Sequence, residues 1–202
     1  MRDDEPFDDS SGIELEHLEA EIPVLAGIAT FTREARGLKW FSRLGEPIDQ
    51  VSQALARSYL EGLGFPDVEV ARIRTWDDAA DAADLPDWDA AGWEAEEGMR
   101  ASLTVDALEI LREEALTIAL QHLASELGPR MHQAATDAAN RRGIEDESLI
   151  GAAAGSALRA AHGAALALAA GADHDHPFRR LFALYARGRW PIGIAGMTLN
   201  LF

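Results

Sequence analysis

Residues 104–127 read TVDALEILREEALTIALQHLASEL, and their spacing decides the fold class. At about 100° per residue, Leu108, Leu111, Ala115, Ile118 and Ala119 gather on one helical face. Downstream, Pro129 is expected to begin a second helix over 129–142. Arg141 and Arg142 suit its negative C-terminal end, and Gly143 ends it. Residues 146–171, rich in Ala, Gly and Leu, predict a long third helix. Asp175 is read as the cap of a last helix that runs through Phe178, Leu181, Phe182 and Tyr185 to Gly188. The tail changes character. Residues 190–202 alternate about Ala195-Gly196 and predict a β-hairpin.

Upstream, Pro86 opens a helical stretch carrying Trp88 and Trp93, and Thr75 with Asp78 has the form of a capping box. Residues 68–74 are short and rich in β-branched side chains, which predicts a strand. The hairpin can add to that strand, because an isolated hairpin is marginal in water. Pro47 is placed in a first helical turn; Ile48, Val51, Leu55, Tyr59 and Leu63 follow at helical spacing, and Gly64 closes the helix. Residues 24–36 read as another helix, and residues 1–11 as a disordered acidic lead-in. The expected architecture is mainly α. It is a helical bundle over 12–202, one domain, with a small β element.

The charge is uneven. Residues 1–21 hold nine acidic residues against Arg2 alone, and residues 75–99 hold nine more with no Lys or Arg. These blocks account for the whole net charge of −17 and leave the other residues balanced. A neutral body with two anionic patches suits a cationic partner. Direct nucleic-acid binding is disfavoured, because phosphate contacts need a basic surface. There is no cysteine, which excludes disulfides and thiolate zinc sites. No apolar run follows the N-terminus, so no signal peptide is read and the expected location is cytoplasmic. Residues 149–170 are long enough to span a bilayer, but Arg159 and His162 lie inside them. A central Arg costs about 2.5–3.5 kcal/mol on insertion, so a buried bundle helix is expected and no membrane partner.

The 75–99 block interleaves carboxylates with three of the five tryptophans. The partner-binding set read from it is Trp76, Asp77, Asp78, Asp81, Asp84, Asp87, Trp88, Asp89, Trp93, Glu94, Glu96 and Glu97. Carboxylates would steer and Trp rings would anchor. Trp88 and Trp93 stand about 140° apart on a helix, so either Gly92 breaks the helix or one ring turns partly outward. The competing reading is a solvated charged face over a core of Trp rings.

Two further constellations stand against simpler structural readings. His122 falls within the apolar face of the 104–127 helix with Glu126 one turn on, while Arg159 and His162 lie on the alanine-rich helix near Ser156. Convergence of His122, Glu126, Arg159 and His162 would build a catalytic or metal site; a satisfied polar cluster in the core is the alternative. The Glu-x-x-His string of ferritin-like bundles occurs once, at Glu14–His17, and its second copy is missing. Asp173, His174 and His176 offer metal donors on a loop, where helix capping is the competing role.

The sequence is read first as an acidic interaction protein that binds a basic protein, of the inhibitor or immunity type, with no cofactor. Bacterial immunity proteins share this charge layout by analogy only. A helical enzyme or metal-binding protein built on the His/Glu/Arg cluster is the alternative. A structural subunit whose acids serve solubility is the third reading.

Overall fold

The computed structural model of the chain describes residues 23–84 and 91–202. The acidic lead-in, the segment 12–22 and residues 85–90, with Asp87, Trp88 and Asp89, lie outside the described residues. The elements are α1 (Pro23–Ala35), α2 (Gln50–Gly62), β1 (Glu69–Arg72), α3 (Trp76–Ala83), α4 (Ala91–Ile110), α5 (Glu113–Asn140), α6 (Glu147–Ala169), α7 (Pro177–Ala186), β2 (Pro191–Ala195) and β3 (Thr198–Leu201). The fold is mainly α with a small sheet, as the periodicities imply. No described helix is long and apolar enough to cross a membrane.

The helix expected over 104–127 is divided. Leu103, Ala107, Leu111, Ala115, Ala119, Leu123, Leu127, Met131 and Ala135 are all buried at intervals of four. Each four-residue step overshoots a turn by about 40°, so the buried stripe winds around the helical segments. The chain breaks at Arg112, whose backbone is extended (φ −68°, ψ 146°). Helix α5 then runs through Pro129 instead of starting there. A helix-interior proline costs about 3 kcal/mol or more. Gly128, with no Cβ to meet the ring, relieves the crowding before it, and fully buried Leu127 and Met131 hold both sides.

Helices α5 and α6 form the principal pair, with α1 and α4 against them. The buried face of α6 is mostly alanine, including Ala153, Ala157, Ala161, Ala164 and Ala165. Small side chains let neighbouring helices approach closely, and the density of the core comes from that fit. Two further boundaries move. Asp49 caps α2, which leaves Pro47 ahead of the helix, and His176, not Asp175, caps α7. The capping box at Thr75 and Asp78 forms as expected.

The hairpin joins the early strand. β3 lies in the centre, parallel to β1 and antiparallel to β2. Gly196 turns the hairpin at φ +58°. Trp190 and Phe202 exchange backbone hydrogen bonds at 2.9 Å and pack tilted and edge-on against Trp76, which anchors the hairpin's open end in the core.

One carboxylate ties this C-terminal unit to α2. Asp49 Oδ1 accepts from the Ser52 N–H at 3.0 Å and Arg187 Nη2 at 2.8 Å; Oδ2 accepts from Arg43 Nη1 at 2.9 Å. Arg189, buried beside this group, donates to the carbonyls of Arg43 and Glu46 at 2.8 Å. Burial alone would raise the Asp49 carboxyl. The bonds from Ser52 and the Arg187 guanidinium outweigh it and hold the group well below the usual carboxylate range.

A native carboxyl depressed below its unfolded value of about 4 stabilises the fold above that pH, and the contribution fades as pH falls toward the native value. Asp49→Asn is therefore expected to cost about 2–3 kcal/mol at neutral pH in urea denaturation. The variant should also show a flatter loss of stability in acid than the parent. Equal midpoints at neutral pH would contradict this role.

Candidate functional site

A cavity of about 540 Å³ opens where the helices meet the sheet. Helical spacing explains its lining. On α4, Trp93, Glu96 and Arg100 stand at i, i+3 and i+7; on α7, Phe178, Leu181 and Tyr185 repeat that spacing. On α6, Ala152, Ser156, Arg159 and Ala160 share one face. Tyr59 comes from α2, Ile192 and Ile194 from β2, and Asp84 stands at the exposed rim. Small side chains at Gly92, Ala152 and Ala160 leave the room. Gly92 sits inside α4, and a Cβ there would lie 3.2 Å from Ile194.

The polar lining is specific. Tyr59 donates a hydrogen bond to Glu96. Burial, then the charge of Glu96, pushes the Tyr59 phenol well above its usual value. Tyr185 donates to the Pro191 carbonyl at 3.2 Å, and burial raises its phenol too. Ser156 donates to the Ala153 carbonyl at 3.0 Å. Two cations complete the lining. Arg100 pairs through Nε with Glu97 at 3.3 Å and lies 5.1 Å from the Phe178 ring centroid. Arg159 lies 5.0 Å from the Trp93 ring centroid. The cavity thus offers aromatic and aliphatic walls with a few placed donors, the usual make-up of a small-molecule site.

The residues singled out from the sequence divide among several environments. Trp76 is 5% exposed and packs on Trp190 and Phe202, so it is core and not a partner anchor. Trp76, Ala79 and Ala82 form the buried face of α3, and the ring turns inward with that face. Asp77, Asp78, Asp81 and Asp84 are exposed, as is Glu94. Glu96 and Glu97 are half-buried and engaged by Tyr59 and Arg100. Trp93 is half-buried beneath Arg159.

His122, Glu126, Arg159 and His162 do not gather on the cavity; only Arg159 lines it. Glu126 pairs with Arg36 at 3.1 Å, a partner outside its own helix. Burial, then the charge of Arg100, lowers the His162 imidazole, and its buried Nε2 has no hydrogen-bond partner among the described residues. The break at Arg112 and the packing of α5 on α1 send this face elsewhere than a straight bundle would. His176 uses Nδ1 to accept the Phe178 N–H at 3.2 Å, while Asp173 and His174 are exposed. Among the described residues, no three His, Cys, Asp or Glu side chains stand together as a metal site.

Sequence reasoning missed Tyr59, Arg100, Phe178 and Tyr185 as site residues. In the sequence, Tyr59 and Tyr185 fall at helical spacing among apolar residues and read as core. The available signal was the i, i+3, i+7 set of Trp93, Glu96 and Arg100, which a count of acids hides.

Both tyrosines of the chain are buried here. Their phenolate absorbance is expected to rise only well above the ordinary value of about 10, together with loss of helical circular dichroism. A tyrosine that ionises near that value in folded protein would contradict the burial of this lining.

No protein-family model matches the chain, and neither the curated proteins nor the solved structures supply a match.

Proposed function

We propose that the chain binds a small organic molecule in the cavity between α4, α6, α7 and the sheet. The observation that carries this reading is the cavity itself: about 540 Å³, walled by Trp93, Phe178, Leu181, Ile192 and Ile194, with its polar groups confined to a few positions. Ligand sites commonly span about 300–1,000 Å³ with such a lining. Much of the binding energy would come from burying the ligand's apolar body, at about 25 cal/mol per Å². The polar groups would fix its orientation. Glu96 already accepts from Tyr59, and burial holds both phenols protonated. That favours recognition over proton transfer.

N-Phenylnaphthylamine, a neutral aromatic dye that brightens in apolar surroundings, tests the reading. Saturable binding is expected, and Ala152→Phe should weaken it about tenfold or more with an unchanged melting temperature. Ala152 lines the cavity yet is itself exposed, so the larger ring fills space without invading the core. A parent that does not bind the dye, or a variant that binds equally well, would count against the cavity.

A second reading concerns α3. Asp77, Asp81 and Asp84 stand at i, i+4 and i+7 and are all exposed, which forms one anionic stripe. We propose this stripe as a docking face for a basic protein of the cytoplasm, in the manner of an inhibitor or immunity protein. Steering by such charges fades as the Debye length falls from about 10 Å at 0.1 M salt to about 3 Å at 1 M. A basic protein captured at low salt should associate at least about tenfold more slowly with the Asp77→Asn, Asp81→Asn, Asp84→Asn triple variant. An unchanged on-rate would remove the stripe from consideration.

A further inference from the structure

The cavity's two guanidinium groups are not equivalent. Arg100 is occupied: Glu97 takes its Nε at 3.3 Å and the Phe178 ring lies beneath it. Arg159 has neither an ion pair nor a hydrogen bond among the described residues. Yet the chain holds 35 acidic residues against 18 basic ones, so carboxylates are in excess. What positions Arg159 is the face of Trp93, at 5.0 Å. A guanidinium held on a ring face keeps its N–H fork free for an oxyanion.

Glu96, the carboxylate nearest the tyrosines of the lining, forms no ion pair with Arg159. Glu96 stands on α4 with Tyr59 donating to it. It is half-buried, while Arg159, on α6, is exposed. A ligand that crosses from the apolar wall of Phe178, Leu181 and Ile194 to the mouth would bring its outer end to Arg159.

Resting on the cavity reading above, we infer that the ligand is an amphipathic organic anion, with its apolar body against α7 and β2 and its oxyanion taken by Arg159. The partly apolar surroundings strengthen such a pair relative to open water. Asp84, exposed at the same rim, would repel a second negative charge, so a single charge suits the site better than a polyanion.

Two dyes of one skeleton separate this inference from the reading beneath it. Anilinonaphthalene sulfonate carries the charge, and N-phenylnaphthylamine does not. The sulfonate is expected to bind at least about tenfold more tightly than the neutral dye. Arg159→Gln should bring the two to parity without weakening the neutral dye, and Arg141→Gln, an exposed arginine away from the cavity, should change neither. Equal affinities in the parent, or a preference that survives Arg159→Gln, would overturn the anion seat while leaving the cavity standing. Binding of neither dye would overturn both. If Arg159→Gln loses both dyes, Arg159→Lys decides: a retained sulfonate preference upholds the inference, and its loss overturns it.

Discussion

The position of the C-terminal unit depends on Asp49. Its carboxylate is shared by the Ser52 backbone, Arg43 and Arg187, and buried Arg189 reaches the carbonyls just ahead of it. Arg189 is followed directly by Trp190, and Trp190 by β2. Fixing one guanidinium therefore fixes the strand whose Ile192 and Ile194 form a wall of the cavity. A half-buried ion network is weak ground for net stability, since desolvation offsets much of the attraction. Its contribution here is register: it sets which residues of the hairpin face α4.

The helices supply the complementary constraint. Alanine on the buried face of α6 packs close to α5. On the adjoining side of α6, Ala152, Ser156 and Ala160 are also small, but α4 and β2 leave a cavity there. Bulk returns at the edges as Trp93, Phe178 and Tyr185. The same compositional bias therefore does two things: a tight seam on one face and an opening on the other. The two buried clusters of the protein meet at Met99 and Leu181, and Leu181 also lines the cavity. The site is thus framed by the core, which is the rigid support a preformed pocket needs.

Much of this was legible from residues alone, and the misses have physical reasons. The strand at 68–74 and the hairpin at 190–202 announce themselves through β-branched residues and a Gly turn, and their pairing follows from the weakness of an isolated hairpin. The capping box at Thr75 is local chemistry and forms as read. Pro129 misled because a proline is a local signal, whereas Leu127 and Met131 act through burial on other elements. His122 and Glu126 were placed on an apolar face correctly as angles. Which neighbour that face meets is a tertiary fact, and Glu126 meets Arg36. The acidic block drew attention as charge, yet Trp76 belongs to the core and Glu96 to the cavity. Net charge records how many carboxylates there are and not which of them turn inward.

The cavity is the place where the proposed ligand would sit. A crystal structure of the full chain with N-phenylnaphthylamine bound is the most direct measurement. The dye is predicted between Phe178, Leu181 and Ile194, with the Trp93 ring at the mouth and Tyr59 still donating to Glu96. A dye found only on the outer surface, with the cavity closed by rearranged side chains, would contradict it.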